Sequence, residues 1–580
     1  MSSDAAAAAA AYKAAKEAWV TGHSGGSMSE ATLVTASALS TFILWSTIQK
    51  YHPKSPAHQL LDATSRQAKT KIRHGLVSFL LDYTILVIPL ILGCTLLADY
   101  AYLWPLAMLV FAAVIKTVCG PSEDEVMKKE NKRFKWRDSD DDYSADEDDN
   151  DNNNKGSSSQ TNLEQQDHDG FRQRKSVKEE PEDYSTLQLD DTTTTTTTTS
   201  SGKLKAAKYQ ESPRKIFLSV YRAGMMILTC IAILAVDFPI FPRRFGKVEV
   251  YGTSLMDLGV GSFVFSSGVV SARGYLKREI MPFGQQMMIA IRTSIPLLIL
   301  GLSRYISTKG VDYQEHITEY GMHWNFFFTL GFLPIFVTFF RSLADQIRFS
   351  ILGTIVAVVY QGFLTYGGLE DYIQNAPRVD IISMNKEGVF SLAGKFVSSY
   401  LAIFLVGVDV GLYVLPNDPY FFMSRKSNKK KAKKGKLAMV LLSLTFLLTM
   451  GFTISYGILH IPVSRQMANL SYFFWVITFN TGYILCFLLA EIAITTNEPS
   501  ALAIARAQAK ANLSTAASEA INRNGLAIFL VANLLTGLVN LSIQTLYSSD
   551  SHALAILIAY MGTVSALAWT WQVLGWRLKL

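Results

Sequence analysis

The stretch Asp237-Phe-Pro-Ile-Phe-Pro-Arg-Arg-Phe-Gly-Lys247, with the apolar run Thr253 to Val270 close behind it, decides how this chain is read. It sets an acid, two arginines and a lysine at the mouth of a membrane-length apolar segment, where uncompensated charge is costly once hydrocarbon reaches it. Pro239 and Pro242 disfavour a continuous helix, so the stretch reads as a loop. Phe238, Phe241 and Phe245 alternate with the charged groups. The loop is therefore expected to fold back onto apolar surface, with Asp237 ionised beside a cation.

The rest of the chain agrees with a membrane setting. Its 580 residues are 49% hydrophobic, with a mean hydropathy of +0.20. Apolar runs of about 17 to 24 residues recur, the length needed to cross a roughly 30 Å hydrocarbon core as helix. The pattern predicts an all-α polytopic membrane protein of about thirteen transmembrane helices, the runs centring near Ile43, Leu86, Leu109, Leu228, Phe263, Leu297, Leu330, Val358, Leu401, Leu447, Ile484, Leu534 and Ala566.

Charge predicts the orientation. Lys50, Lys54, Arg66, Lys69, Lys71 and Arg73 crowd one loop, and Arg425 to Lys436 crowd another, so both are expected in the cytosol. Arg273, Lys277 and Arg278, then Arg341 and Arg348, and finally Arg577 and Lys579 fall on the same side. The N-terminus is then lumenal and the C-terminus cytosolic. The net charge of +7 follows from this bias and is not a nucleic-acid footprint.

Composition divides the chain into a lumenal N-terminal segment (1–30), a first three-helix block (31–120), an acidic Asn-, Ser- and Thr-rich cytosolic loop (121–212) and a ten-helix block (213–580). The loop is too polar to offset the entropy of ordering and is expected to be disordered. The Ala-rich start lacks the basic lead and apolar core of a signal peptide. Cys94, Cys119, Cys230 and Cys486 show no metal-ligand spacing and read as buried structural thiols. No metal site is expected. Phosphate-loop, zincin and nucleophile-elbow motifs are missing at supporting positions.

Sorting the loops by side gathers residues 237–252, 304–325, 385–388 and 464–469 on the lumenal face, the last carrying the sequon Asn469-Leu-Ser471. The run after the opening stretch adds Asp257, Gly259, Gly261 and Gly268. An intramembrane Asp is a functional candidate, and small residues admit close helix or lipid approach. Lys395 and Asp409 lie about 21 Å apart along a helix, so each needs its own partner.

These residues resemble the GPI-anchor inositol acyltransferase family. The resemblance rests on Asp237 to Val248 with Gly252-Thr-Ser-Leu-Met-Asp-Leu-Gly-Val-Gly, on Tyr12-Lys-x-x-Lys-Glu-x-Trp-Val-Thr-Gly with Gly25-Gly-Ser, on Tyr313 to Phe327, on Asn385-Lys-Glu-Gly, and on Ser464-Arg-Gln-Met-Ala-Asn. It covers nearly all of the chain outside 121–212. Gly246 stands for the usual Ala, and Val250-Tyr251 for Thr-Trp.

The resemblance implies a multi-pass endoplasmic reticulum enzyme that moves a fatty acyl group, palmitoyl expected, from acyl-CoA to the inositol 2-hydroxyl of glucosaminyl-phosphatidylinositol. Acyl-CoA is a co-substrate, and no permanent cofactor is expected. With that chemistry, Asp237 is the expected base and Lys247 the electrostatic donor, with His323 an alternative base. Arg243 and Arg244 suit the lipid phosphate, and Asp257, Asn325 and Lys395 are further substrate-binding candidates. Acyl-CoA is cytosolic, so a passage through the bundle is expected, with CoA near Arg273, Lys277 and Arg278. A lipid transporter or flippase is the rival reading.

Overall fold

The computed structural model describes residues 3–51, 77, 79–119, 215–276, 282–310, 326–341, 346–375, 399–420, 434–496 and 516–578. Of the candidate residues, Lys277, Arg278, His323, Asn325 and Lys395 lie outside the described residues, as does the loop 121–212.

The described chain is nearly all helix. Nine helices are long and apolar enough to cross a membrane, and four further apolar helices are shorter. The protein is thus a multi-pass membrane protein. In chain order the elements are α1 Ser3–Val20, α2 Met28–Tyr51, α3 Phe79–Cys94, α4 Leu103–Cys119, α5 Ile216–Ala235, α6 Leu255–Leu276, α7 Phe283–Gly310, α8 Phe326–Arg341 and α9 Phe349–Tyr366. There follow α10 Leu369–Asn375, α11 Ser399–Val414, α12 Lys434–Phe452, α13 Leu470–Thr496, α14 Ala516–Arg523, α15 Gly525–Ser542 and α16 Asp550–Val573.

The shorter apolar helices sit at the runs near Leu86, Leu109, Leu330 and Leu401. In α3 the cause is visible: a π-helical turn, Tyr83–Val87, runs straight into Pro89, and the helix stops at Cys94. Of the cysteines, Cys94 and Cys230 are buried as expected, whereas Cys119 and Cys486 are exposed. The latter stand on outward faces of α4 and α13, where apolar residues such as Val118 and Leu489 share the surface. A hydrocarbon surround demands no burial of such groups.

Helices α2, α5, α6, α11 and α13 are the most buried, and α7 and α12 are only 17% buried along their spans. The tightest seam joins α6 and α11. A Cβ on Gly268 would stand 2.3 Å from the Phe404 carbonyl oxygen, and one on Gly407 2.4 Å from that of Phe265. The small residues of α6 therefore let backbones touch, as in small-residue packing of membrane helices.

Two interior carboxylates have counter-charges. Arg348 grips Asp409 with two guanidinium nitrogens, at 2.7 and 3.3 Å. Lys434 reaches Glu491 at 2.6 Å. Asp409 thus has the separate partner that its distance from Lys395 required.

Candidate functional site

At one end of the bundle, α5 stops at Ala235 and the loop 236–254 leads into α6. Its phenylalanines anchor it: Phe238 and Phe241 are wholly buried and Phe245 nearly so. Tight turns at Asp237, Phe238, Phe241 and Phe245 return each amide to a carbonyl three residues back. The loop folds onto apolar surface, as the alternation of phenylalanine and charge predicted.

Two segments distant in sequence clamp it. The amide of Gly26 donates to the Thr253 carbonyl at 2.8 Å, and the Thr253 hydroxyl donates back to the Gly26 carbonyl at 2.8 Å. Glu249 donates to the His23 carbonyl, and Gly252 to that of Val463. Gly25 and Gly252 have φ of +81° and +141°. Side chains there would run into the Thr253 and Ser24 carbonyls, so this junction needs glycine at both positions.

Asp257 and Arg465 fasten the second segment. Asp257 is fully buried and is paired with the Arg465 guanidinium; it also accepts from the Ser254 hydroxyl at 2.8 Å and the Val248 amide at 3.3 Å. Arg465 in turn donates to the Val248 carbonyl. Asp257 thus holds the loop to the residues preceding α13. Asn469, 3% exposed, caps α13: its Oδ1 accepts from the Tyr472 and Ser464 amides, and its Nδ2 donates to the Pro462 carbonyl.

Within this frame the Asp237 carboxylate has two partners. Lys16 Nζ stands 3.3 Å from Oδ1, and Asn540 Nδ2 donates to Oδ2 at 2.8 Å. Lys16 also donates to Asn540 Oδ1 at 3.1 Å, closing a triangle among α1, the loop and α15. The side chains of Lys16 and Asp237 are only 10% and 14% exposed. Tyr12, Lys16 and Trp19 lie on one face of α1, at the spacing of successive turns. Tyr12 hydrogen-bonds Thr545, and Trp19 lies under Arg243.

Both arginines of the loop are engaged by the chain itself. Arg243 donates to the Val236 and Phe238 carbonyls at 2.6 and 3.3 Å, stacks 4.2 Å from the Trp19 ring centre and leaves Nε buried without a partner. Burial lowers its pKa to about 10, against the opposing pull of Asp237. Arg244 joins Glu30 at 2.6 Å and Asp99 at 2.5 Å. Those carboxylates outweigh its desolvation and hold its pKa above the usual arginine value. Lys247 is half-buried on the same loop, and Arg273 is exposed near the far end of α6. Tyr251 donates to Glu370 and accepts from Gln374 at 2.9 Å; burial, then the Glu370 bond, pushes its pKa up to about 12.

Sequence reasoning placed Asp237, Arg243, Arg244 and Lys247 together and missed Lys16, Asn540 and Arg465 as partners. The spacing of Tyr12, Lys16 and Trp19 carried a signal that one helix face mattered. Nothing local announced what that face meets.

Fold and site together define a helical multi-pass membrane protein with a clamped, charge-bearing loop at one end of its bundle. Residues 12–162 and 178–571 match the GWT1 family, and the chain belongs to it. It is 47% identical to GPI-anchored wall transfer protein 1 of Aspergillus fumigatus over 61% of this chain and 71% of that one. The protein of the same name from Candida albicans is 40% identical, over 61% and 74%. That of Cryptococcus neoformans var. grubii is 32% identical over 98% of this chain and all of its own.

Proposed function

We propose that this protein works in GPI-anchor biosynthesis in the endoplasmic reticulum membrane, moving a fatty acyl group, palmitoyl expected, from acyl-CoA to the inositol 2-hydroxyl of glucosaminyl-phosphatidylinositol. The names of its relatives support the pathway. The observation that carries the chemistry is the Asp237 carboxylate, held by Lys16 and Asn540 on a loop clamped by two segments distant in sequence. A fixed carboxylate with little solvent contact can serve as a general base.

In the reaction, Asp237 takes the proton of the attacking inositol hydroxyl as its oxygen bonds to the thioester carbonyl carbon. Lys247 stabilises the oxyanion that forms. Collapse breaks the C–S bond, and the departing thiolate recovers the proton from Asp237 as CoA thiol. Lys16 and Asn540 position the carboxylate, while His323 is the alternative base. Arg243 and Arg244 build the loop, and the partly exposed Arg244 flanks the lipid headgroup. Asp257 shapes the substrate side through its hold on Val248, and Asn325 and Lys395 are further substrate contacts. By the charge bias the Asp237 end is lumenal, and the donor enters from the opposite end near Arg273, Lys277 and Arg278.

The test is purified full chain in nanodiscs with palmitoyl-CoA and glucosaminyl-phosphatidylinositol, read by mass spectrometry. Acylated lipid that depends on Asp237 is expected. Lipid movement between leaflets without acylated product would instead establish the transporter reading.

A further inference from the structure

The loop 236–254 carries two carboxylates, Asp237 and Glu249. Asp237 is matched by Lys16 and Asn540. The acids that meet the loop and its clamps from elsewhere are engaged as well: Glu30 and Asp99 hold Arg244, Asp257 holds Arg465, and Glu370 takes the Tyr251 hydroxyl. Glu249 is the exception. Among the described residues its carboxylate makes no hydrogen bond and no ion pair, although Lys247 stands only two residues away.

The backbone that displays Glu249 is held firmly. Its amide donates to the His23 carbonyl at 3.3 Å. The preceding residue, Val248, is bound through its amide to Asp257 and through its carbonyl to Arg465. The Val248 side chain is 3% exposed and fills the space beside Gly25 and Gly252, where an added Cβ would come within 2.6 and 3.1 Å of its methyls. With Val248 turned inward, the half-buried Lys247 and Glu249 on either side of it share the opposite face of the chain. A carboxylate half withdrawn from water, fixed by its backbone and lacking a counter-charge is set for a cation brought from outside the chain.

The acceptor lipid brings one. Its headgroup pairs a phosphodiester anion with the free amine of glucosamine, which is an ammonium when protonated. Asp237 cannot take that ammonium, because Lys16 already matches it and its free electron pair is needed for the inositol hydroxyl. Resting on the function proposed above, we propose that Glu249 determines acceptor specificity by binding the glucosamine ammonium while Asp237 faces the inositol hydroxyl. An N-acetylated headgroup offers a neutral amide there, leaves the carboxylate unpaired and is rejected.

The test is purified full chain in nanodiscs with palmitoyl-CoA and, side by side, glucosaminyl-phosphatidylinositol and its N-acetylated form. The wild type should prefer the free amine. Glu249→Gln should raise KM for the glucosaminyl lipid roughly tenfold, the loss of a charge-assisted hydrogen bond, with KM for palmitoyl-CoA unchanged. Use of the N-acetylated lipid should not fall, so the kcat/KM ratio between the two lipids drops by a similar factor, and Glu249→Asp should recover part. Asp371→Asn removes an exposed acid within electrostatic reach of Tyr251 and controls for general attraction; it should leave the ratio unchanged. An unchanged ratio in Glu249→Gln, or an equal drop in Asp371→Asn, would overturn the proposal. If Glu249→Gln does not fold, Glu249→Asp carries the same comparison, and a ratio equal to wild type counts against the proposal. Melting of the full chain with each lipid and no donor reads the site without turnover. A wild type that forms no product, yet is stabilised by the glucosaminyl lipid over the N-acetylated one through Glu249, refutes the function and keeps the site. Product formed with a lipid ratio indifferent to Glu249 does the reverse.

Discussion

Lys16 Nζ stands 3.3 Å from Asp237 Oδ1, joining the first helix of the chain to the loop after α5. Asn540 touches both. A carboxylate held in this way keeps one orientation, which is what proton transfer to a fixed acceptor requires. Asp237→Asn preserves shape and removes the base, so acylation should fall roughly 10²- to 10⁴-fold with the protein still inserted in the membrane. Lys16→Met loosens the carboxylate and should cost on the order of 10²-fold, with Lys16→Arg recovering part. Initial rates on purified variants check both.

Asp257 and Arg465 form a buried pair, 0% and 4% exposed at the side chain. Removing either partner strands a charge, so Asp257→Asn and Arg465→Met should each cost about 3–5 kcal/mol. The double variant should cost less than the sum. A double-mutant cycle on thermal melting in detergent measures the coupling, and additive losses would show that the pair holds nothing.

The junction of residues 23–26 with 249–253 makes a graded prediction. Gly25→Ala and Gly252→Ala drive a Cβ into a carbonyl oxygen 2.3 and 2.1 Å away and should each cost about 1–3 kcal/mol or more. Gly22 also has positive φ, +79°, but open space around it. Gly22→Ala should cost only the backbone strain, about 1–2 kcal/mol. Melting of the three variants, with acylation rates beside them, tests the ranking.

Tyr251 predicts an alkaline step. Its folded pKa of about 12 lies above the ordinary tyrosine value of 10.0, through burial and then the bond to Glu370. The unfolded chain loses this proton first, so the contribution is complete below about pH 10 and is lost as pH rises through about 12. Tyr251→Phe should remove that part of the decline, which melting across pH 9 to about 12 would show.

The sequon at Asn469 should carry no glycan in the folded protein, because the side chain is buried and its amide and carbonyl both hold the start of α13. Endoglycosidase treatment should leave mobility unchanged. Asn469→Ala should cost about 1 kcal/mol, the loss of a helix cap.

Much of this arrangement was legible in the sequence. Helical character followed from apolar length, and the fold-back of the loop from Phe238, Phe241 and Phe245 set among charges. Asp257 was visible as a misplaced charge, but its partner was not. Arg465 lies in another loop, and pairing across the bundle leaves no periodic trace. Lys16 was hidden for a further reason: it sits in an Ala-rich segment whose low apolarity reads as surface, and only the tertiary contact buries it. Interior charges are easy to find in a membrane chain; which of them pair is decided by packing.

The triangle of Lys16, Asp237 and Asn540 has a consequence for biogenesis. Its corners come from the beginning, the middle and nearly the end of the chain, so a ribosome must pass α15 before Asp237 has both partners. Until then the nascent protein can set Lys16 against Asp237 but lacks the Asn540 amide that joins the two. Completion of the site is therefore a report that α15 has been inserted and has docked against the first helix.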